Sequence, residues 1–403
     1  MEMKSDPTTD GKRNRRKTIH QSSTSVYFFT GSLSSDLISE IISRLPVKFL
    51  LQLRCVCKSW CSLISDPIFV KKHLKASTQN VDYAHHRFIM VNYTRPFTLR
   101  TYSLSSLFHE EFPNPDFLDY PLNDLDRLAR IVGSVNGLLC LSIGYDNVFI
   151  WNPATRKSKR LPNYDSSKEF PRQYAVYGFG YDEDTADYNV VVITPRMIGF
   201  ERQSDSKIFG LKSDSWRKIE DFPKDVPVID ARGVFVSGSL HWIAARNGEM
   251  EEDWRSTSIL SFDMSKETYS EILQPPYAYG EETFIPVLGV LSGCLFLLLD
   301  FEEIKGDVWV MKEYGNVESW SKLFSIPYQD DPIYFNPCSP IYIFKKNELF
   351  LLLGFFMLLY NINNNTVTHP NFRTNLRTNL GIDTYVESLV SPCLEWCQFP
   401  TTD

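Results

Sequence analysis

Six times between residues 101 and 362 an apolar run closes on a polar turn: Thr101-Tyr102-Ser103-Leu104, Ile150-Trp151-Asn152-Pro153, Phe209-Gly210-Leu211-Lys212, Ser261-Phe262-Asp263-Met264, Trp309-Val310-Met311-Lys312 and Leu359-Tyr360-Asn361-Ile362. Corresponding positions lie roughly 50 residues apart, the period of an array in which each unit is one supersecondary element. Similar strands lead the units, as in Asn136-Gly137-Leu138-Leu139, Gly238-Ser239-Leu240-His241, Gly293-Cys294-Leu295-Phe296 and Asn347-Glu348-Leu349-Phe350. Asn-Gly or Gly-Ser before an apolar run is hairpin-turn chemistry, because these residues tolerate tight turns. Each unit is therefore expected to be a blade of antiparallel strands. Six blades close a ring that leaves few exposed edges, so the predicted architecture is a β-propeller, with a large β-sandwich as the competitor.

The chain has 403 residues, enough for this β domain and one small module. Aromatic residues make up 14% of it, which favours large packed sheet faces. A formal net charge of -7 speaks against a global nucleic-acid footprint. The local exception is residues 1–30, where Lys12, Arg13, Arg15, Arg16 and Lys17 form a basic run in an arm expected to be disordered. That run reads as a solvated tail or as a nuclear import signal. No apolar core of a secretory signal stands beside it, and the expected location is cytoplasmic or nuclear. Leu349 to Tyr360 is the longest apolar stretch; about a dozen residues is short of the roughly 20 a membrane helix needs, and it reads as two adjacent strands. Eight cysteines without regular spacing make no disulfide framework. Cys55, Cys57 and Cys61 lack a matching second pair, so core packing explains them better than zinc.

Between Leu33 and Leu74 the periodicity turns helical. Ser34 or Ser35 is placed to cap a helix opening at Asp36, Leu37, Ile38, Ile41, Ile42 and Leu45 recur at helical spacing, and Pro46 ends it. Val47 to Arg54 and Val56 to Ser65 predict two more short helices, and Asp66-Pro67 marks the stop. Three helices in about 40 residues bury little core of their own, so part of their apolar surface is expected to be covered by another molecule or domain. The alternative is a plain three-helix cap whose apolar residues all face inward.

This segment resembles a plant F-box. The matching residues are Leu33, Asp36-Leu37-Ile38, Glu40-Ile41-Ile42, Arg44-Leu45-Pro46-Val47-Lys48, Arg54-Cys55-Val56-Cys57-Lys58-Ser59-Trp60 and Ser65-Asp66-Pro67. Ser34 departs from the pattern, standing where the family commonly has proline. The resemblance implies docking on a Skp-type adaptor and, through it, a cullin scaffold. By position it gives the contact role to Leu33, Ile41, Leu45, Pro46, Val47, Leu50, Val56, Cys57 and Trp60.

The rest of the chain is similar to the plant F-box-associated (type 1, kelch-like) domain. The resemblance is carried by Gly133-Ser134-Val135-Asn136-Gly137-Leu138-Leu139, Trp151-Asn152-Pro153-Ala154-Thr155-Arg156, Tyr177-Gly178-Phe179-Gly180-Tyr181-Asp182, Ser213-Asp214-Ser215-Trp216-Arg217, Asp307-Val308-Trp309-Val310-Met311-Lys312-Glu313-Tyr314-Gly315 and Tyr385-Val386-Glu387-Ser388-Leu389. S-locus F-box proteins are close relatives with the same domain order. The Gly-Gly pair of true kelch blades is absent, so "kelch-like" describes the architecture. The expected organisation is α+β multidomain: a basic arm at 1–30, an F-box at 31–75 and an all-β propeller at 80–395.

Trp216, Trp309 and Trp320 are expected to be blade packing. Substrate contacts are sought on the loops Pro195 to Ser206, Arg246 to Arg255 and Gln329 to Pro337. The second loop carries Glu249, Glu251, Glu252 and Asp253, either as a solvated face or toward a basic partner. No mechanism attaches to the tandem Arg373-Thr374-Asn375-Leu376 and Arg377-Thr378-Asn379-Leu380. The motifs of serine hydrolases, phosphate loops, zinc helices and Cys-x-x-Cys redox sites are not found. His241 reads as a satisfied core histidine, and no catalytic residue, cofactor or metal is expected. The resemblance implies a non-catalytic substrate receptor of a ubiquitin ligase, with an adaptor-bound assembly or anchoring factor, or a propeller enzyme, as rivals.

Overall fold

The computed structural model describes residues 34–80, 82–92, 95–110, 113–144, 147–164, 175–198, 201–223, 231–245, 257–276, 286–301, 305–327, 339–344, 348–353, 356–364, 366–368 and 380–393. Four helices come first: α1 (Ser35–Ile42), α2 (Val47–Leu53), α3 (Lys58–Ser65) and α4 (Pro67–Thr78). The Ser34 hydroxyl accepts the Leu37 N–H at 3.3 Å and so caps α1, with Asp36 in the first turn. The Asp66 carboxylate accepts the Ile68 N–H at 2.7 Å, with Pro67 opening α4. Asp66-Pro67, expected only as a stop, therefore ends α3 and starts a 12-residue helix beyond the three expected. The physical reason is that an acidic cap followed by proline at the first helical position is also a start signal.

A helix-poor β domain follows. The first group is β1 (His86–Asn92), β2 (Thr98–Ser103), α5 (Leu104–His109) and β3 (Asp116–Leu118). The second is β4 (Ala129–Val135), β5 (Leu138–Ile143), β6 (Asn147–Asn152) and β7 (Lys157–Arg160). The third is β8 (Val176–Asp182), β9 (Asp187–Ile198), β10 (Glu201–Gly210) and β11 (Ser215–Lys218). The fourth is β12 (Val234–Val236), β13 (Ser239–Ala245), β14 (Thr257–Asp263) and β15 (Thr268–Ile272). The fifth is β16 (Val287–Leu291), β17 (Cys294–Phe301), β18 (Lys305–Met311) and β19 (Trp320–Pro327). The sixth is β20 (Ser339–Phe344), β21 (Glu348–Leu353), β22 (Phe356–Asn361) and β23 (Thr366–Thr368). A last strand, β24 (Leu380–Val386), returns to the first group and pairs with β1 from His86↔Val386 to Asn92↔Leu380.

Among the described residues these strands make six four-stranded antiparallel sheets. The inner strands β24, β4, β8, β12, β16 and β20 touch their neighbours in that order and back to β24, so the sheets are the blades of a closed propeller. Each of the six sequence repeats ends the third strand of its blade, because the turn chemistry is local. Asn152 Oδ1 accepts the N–H groups of Ala154 and Thr155, Asp263 Oδ1 those of Ser265 and Lys266, and Asn361 Oδ1 that of Asn363. The leading Asn136-Gly137, Ser237-Gly238 and Ser292-Gly293 pairs all have positive φ, as two-residue hairpin turns require. Between blades, Trp216 Nε1 donates to the Pro162 carbonyl at 2.7 Å and Trp320 Nε1 to the Leu273 carbonyl at 3.1 Å. Each of these outer-strand tryptophans thus ties its blade to the segment leaving the one before.

Within Leu349 to Tyr360, the described residues 349–353 and 356–360 lie on β21 and β22, in register Leu349↔Tyr360. Within Pro195 to Ser206, expected to be a loop, the described residues 195–198 and 201–206 belong to strands β9 and β10, which stay paired as far as Ile198↔Glu201. Its polar composition hid the ladder, which Arg196 and Asp205 reinforce with an ion pair at 3.0 Å. The loops Arg246 to Arg255 and Gln329 to Pro337, the basic arm and most of the tandem before Leu380 lie outside the described residues.

Strand direction distinguishes the two ends of the ring. Every blade is antiparallel, so the inner strands all finish at one end, where the Asn136-Gly137, Ser237-Gly238 and Ser292-Gly293 turns lie. The helical module sits at that end. Leu389 and Val390, just past β24, and Ala154, in the turn after β6, pack into its core.

Candidate functional site

The helical module has two apolar surfaces. Inward, Ile42, Val47, Leu50, Ile64, Phe69 and Val70 are buried together with Leu389, and Ile38, Leu45, Trp60 and Leu63 pack against them. Outward, Leu37 and Ile41 stand one turn apart on α1, with Phe49 on α2, Val56 before α3 and Ile68 on α4. Ile41 is 56% exposed, Val56 67% and Ile68 79%. Covering a side chain of this size is worth about 1.5–3 kcal/mol, so five of them left in water are apolar area that the module's own core does not bury. Polar neighbours fix the outward geometry. Glu40 binds Lys72 and Arg44 at 2.9 Å each, and hydrogen bonds from those two cations hold its carboxyl below the usual range.

The residues expected to contact an adaptor divide by burial. Ile41, Val56 and Cys57 are exposed, while Leu45, Pro46 and Trp60 are half-buried. Val47 and Leu50 are buried in the module's interior, where they set the position of α2 and offer no surface. Leu33 lies outside the described residues. Leu37, Phe49 and Ile68 are exposed and were not singled out as contacts, although the second apolar stripe on α1 was readable from its spacing. Cys57 occupies the cap position of α3, and hydrogen bonding to Ser59 and to the Trp60 N–H holds its thiol below its ordinary value. Cys55, Cys57 and Cys61 are free thiols, and among the described residues no group of three or more His, Cys, Asp or Glu is arranged to hold a metal.

The segment after β24 on which the module packs is held to the propeller by polar contacts. Asn152 Nδ2 donates to the carbonyls of Ser388 (3.0 Å) and Val390 (2.7 Å), and the Ser388 hydroxyl donates to the Asn136 carbonyl at 2.8 Å. At the same joint His73 Nε2 lies 3.0 Å from the Leu45 carbonyl, and the rings of His73 and His85 meet edge to face at 5.8 Å. Burial pushes His73 and His86 down to about 4, and lowers His85 too.

A cavity of about 510 Å³ lies among the inner strands, its walls including Gly133, Asn136, Arg232, Val290, Asp383 and, from α4, Thr78. Elsewhere, His241 is fully buried. Its Nδ1 donates to the Val234 carbonyl at 3.1 Å, which leaves Nε2 to accept the Tyr314 hydroxyl at 2.8 Å, with Ser261 Oγ at 3.4 Å. Burial lowers His241 to about 4. A neutral, satisfied ring in this position ties the fourth blade to the turn that carries Tyr314.

A small helical module with exposed apolar side chains, carried on the end of a six-bladed propeller, defines a two-part class of protein. The F-box domain model matches residues 31–72, and the model of the F-box associated beta propeller domain matches residues 97–391. The chain belongs to the plant F-box proteins that carry this propeller. It is 32% identical over 375 residues to the Arabidopsis thaliana F-box/kelch-repeat protein At3g23880, covering 91% of this chain and 97% of that one. To the Arabidopsis thaliana F-box protein CPR1 it is 30% identical over 349 residues, covering 80% and 79%. Among solved structures, an oligogalacturonate lyase in complex with manganese matches at TM-score 0.41 and 11% identity, over 72% of this chain and 74% of that one, a level at which the likeness carries no argument. No helix among the described residues is long and apolar enough to cross a membrane.

Proposed function

We propose that the chain is the substrate-recognition subunit of an SCF-type cullin-RING ubiquitin ligase. The observation that carries this is the exposed set Leu37, Ile41, Phe49, Val56 and Ile68 on a module whose other face is already occupied by the propeller. In this reading the outward face docks on a Skp-type adaptor, the adaptor binds the cullin, and the propeller holds a protein substrate. The receptor performs no bond chemistry. It raises the effective concentration of a substrate lysine near the charged ubiquitin-conjugating enzyme, a gain from tethering and orientation. A module packed through Leu389, Val390 and Ala154 suits this work, because a firm joint keeps the substrate in one orientation relative to the cullin. The setting is cytoplasmic or nuclear. The test is co-purification of the full chain with a Skp-type adaptor and cullin, followed by cullin-dependent ubiquitin transfer to proteins captured on the propeller. Absence of adaptor binding by the unaltered chain contradicts the reading.

A further inference from the structure

Three of the sequence stretches that mark this propeller meet at the F-box end of the ring: Gly133 to Leu139, Trp151 to Arg156 and Tyr385 to Leu389. Ser388 joins them, its hydroxyl donating to the Asn136 carbonyl and its carbonyl accepting from Asn152. Asn152 is fully buried and uses both ends of its amide. Oδ1 accepts the N–H groups of Ala154 and Thr155 and so makes the turn after β6. Nδ2 reaches 236 residues along the chain to the Ser388 carbonyl, and to the Val390 carbonyl beyond it. The first of these tasks needs no amide. In the equivalent turn of the fourth blade Asp263 Oδ1 accepts the N–H groups of Ser265 and Lys266, and a carboxylate has no N–H to donate. What the amide adds at Asn152 is its grip on the segment after β24.

That segment is pinned along its length. The Glu387 N–H donates to the His85 carbonyl at 2.8 Å, and its carboxylate takes Arg87 Nε at 2.7 Å. Ser388 is fully buried, and its hydroxyl also accepts the Val390 N–H at 3.3 Å. With the backbone held at 388 and 390, Leu389 is buried in the F-box core, and Val390 packs both there and against the core shared by the second and third blades. Ala154, two residues past Asn152, packs into the same F-box core. The chain between Thr78 and His86 limits how far the module can stand from the ring, whereas residues 387–390 set the direction it faces. Because they follow β24, the strand that closes the ring, that direction is fixed by the closed propeller.

We propose, resting on the receptor reading, that Asn152 is a positioning residue for ubiquitin transfer: through the carbonyls of Ser388 and Val390 it keeps Leu389 and Val390 in the F-box core, and so aims the substrate-bearing ring at the conjugating enzyme. The test compares the full chain with Asn152→Asp and Asn152→Ser, each of which keeps an oxygen to make the turn and loses the N–H groups that grip the segment. Asp263→Asn, the reverse exchange in the fourth blade, is the control. Protease cleavage of the free chain between α4 and β1 is expected to run about tenfold faster in both Asn152 variants, the effect of losing two buried hydrogen bonds at a local opening, and unchanged in the control. Adaptor capture is expected to be undiminished in all of them. In the assembled ligase, ubiquitin is expected to reach a few propeller lysines of the parent and to spread over more lysines in the Asn152 variants, as mass spectrometry of the modified chain reads directly. Cleavage and lysine pattern unchanged in both variants, or equally changed in the control, overturns the proposal. Loss of capture in the variants also overturns it, since the segment then keeps the module folded instead of aiming it. No capture by the parent overturns the receptor reading, whereas unchanged cleavage beside normal capture overturns the positioning role alone.

Discussion

Arg232 reaches across the propeller axis to Asp383. Arg232 precedes β12 in the fourth blade and Asp383 lies on β24 in the first, three blades away around the ring. Their guanidinium and carboxylate meet at 2.5 Å, and a second guanidinium nitrogen donates to the Ile382 carbonyl at 3.2 Å. The Thr384 N–H supplies the carboxylate with a further donor at 2.7 Å. Burial pushes the Asp383 carboxyl above its ordinary range, against the pull of the guanidinium. Because β24 is the strand that closes the ring, the pair fastens the closure from the opposite side.

Removing one partner leaves the other half-buried without its charge. Arg232→Met is expected to cost about 2–3 kcal/mol, below the full figure for a deeply buried pair because Arg232 keeps some solvent. Arg232→Met/Asp383→Leu is expected to recover at least half of the loss. Urea unfolding of the full chain, followed by tryptophan fluorescence, measures both. A double variant as unstable as the single one contradicts a locking role for the pair.

The histidines at the joint give a direction for pH. His73 and His86 titrate near 4 when folded and near 6.5 when unfolded, so between those values the unfolded chain holds more protons. Stability therefore falls as pH drops from about 6.5 to about 4 and levels below that, by about 3 kcal/mol for each ring. The change is expected first at the joint, as faster protease cleavage between the F-box and the first blade. His73→Phe, which keeps a ring and cannot take a proton, is expected to flatten its share of the slope.

Two glycines in equivalent turns separate backbone strain from crowding. Gly137 and Gly238 have φ of 82 and 77. A Cβ on Gly137 would fall 2.3 Å from Ser388 Oγ and 2.5 Å from the Val386 carbonyl, whereas a Cβ on Gly238 meets nothing within 4 Å. Gly238→Ala is expected to cost about 1 kcal/mol, the strain of a positive φ. Gly137→Ala is expected to cost about twice that or more, because it also pushes on the segment that binds the F-box. Thermal melts of the two variants compare them directly, and equal shifts contradict the crowding.

The repeats were legible because their chemistry is local. An Asn or Asp that accepts the N–H groups two and three residues on, as Asn152 and Asp263 do, leaves its mark within five residues of sequence. Helix α4 was missed because Asp66-Pro67 reads equally as an end and a beginning, and the β9–β10 arm because its ladder is built of polar residues. The Arg232–Asp383 pair spans 151 residues and rests on no periodic pattern, so only the closed ring brings it together. Within the F-box, periodicity located both apolar stripes without separating them. Val47 and Leu50 face inward, and Leu37 faces out, for reasons set by where Leu389 and Val390 press on the module.

That separation makes the central claim testable with side chains that do not hold the fold. Leu50 is 0% exposed, so Leu50→Ala is expected to destabilise the module by about 2–5 kcal/mol and tells little about docking. Ile41→Asp/Val56→Asp alters two exposed side chains and is expected to leave the melt unchanged. The deciding measurement is capture of a Skp-type adaptor by the full chain and by this double variant. Capture by the parent and its loss in a variant that still melts normally is the predicted result; undiminished capture by the variant, or none by the parent, contradicts the assignment of this face as the docking surface.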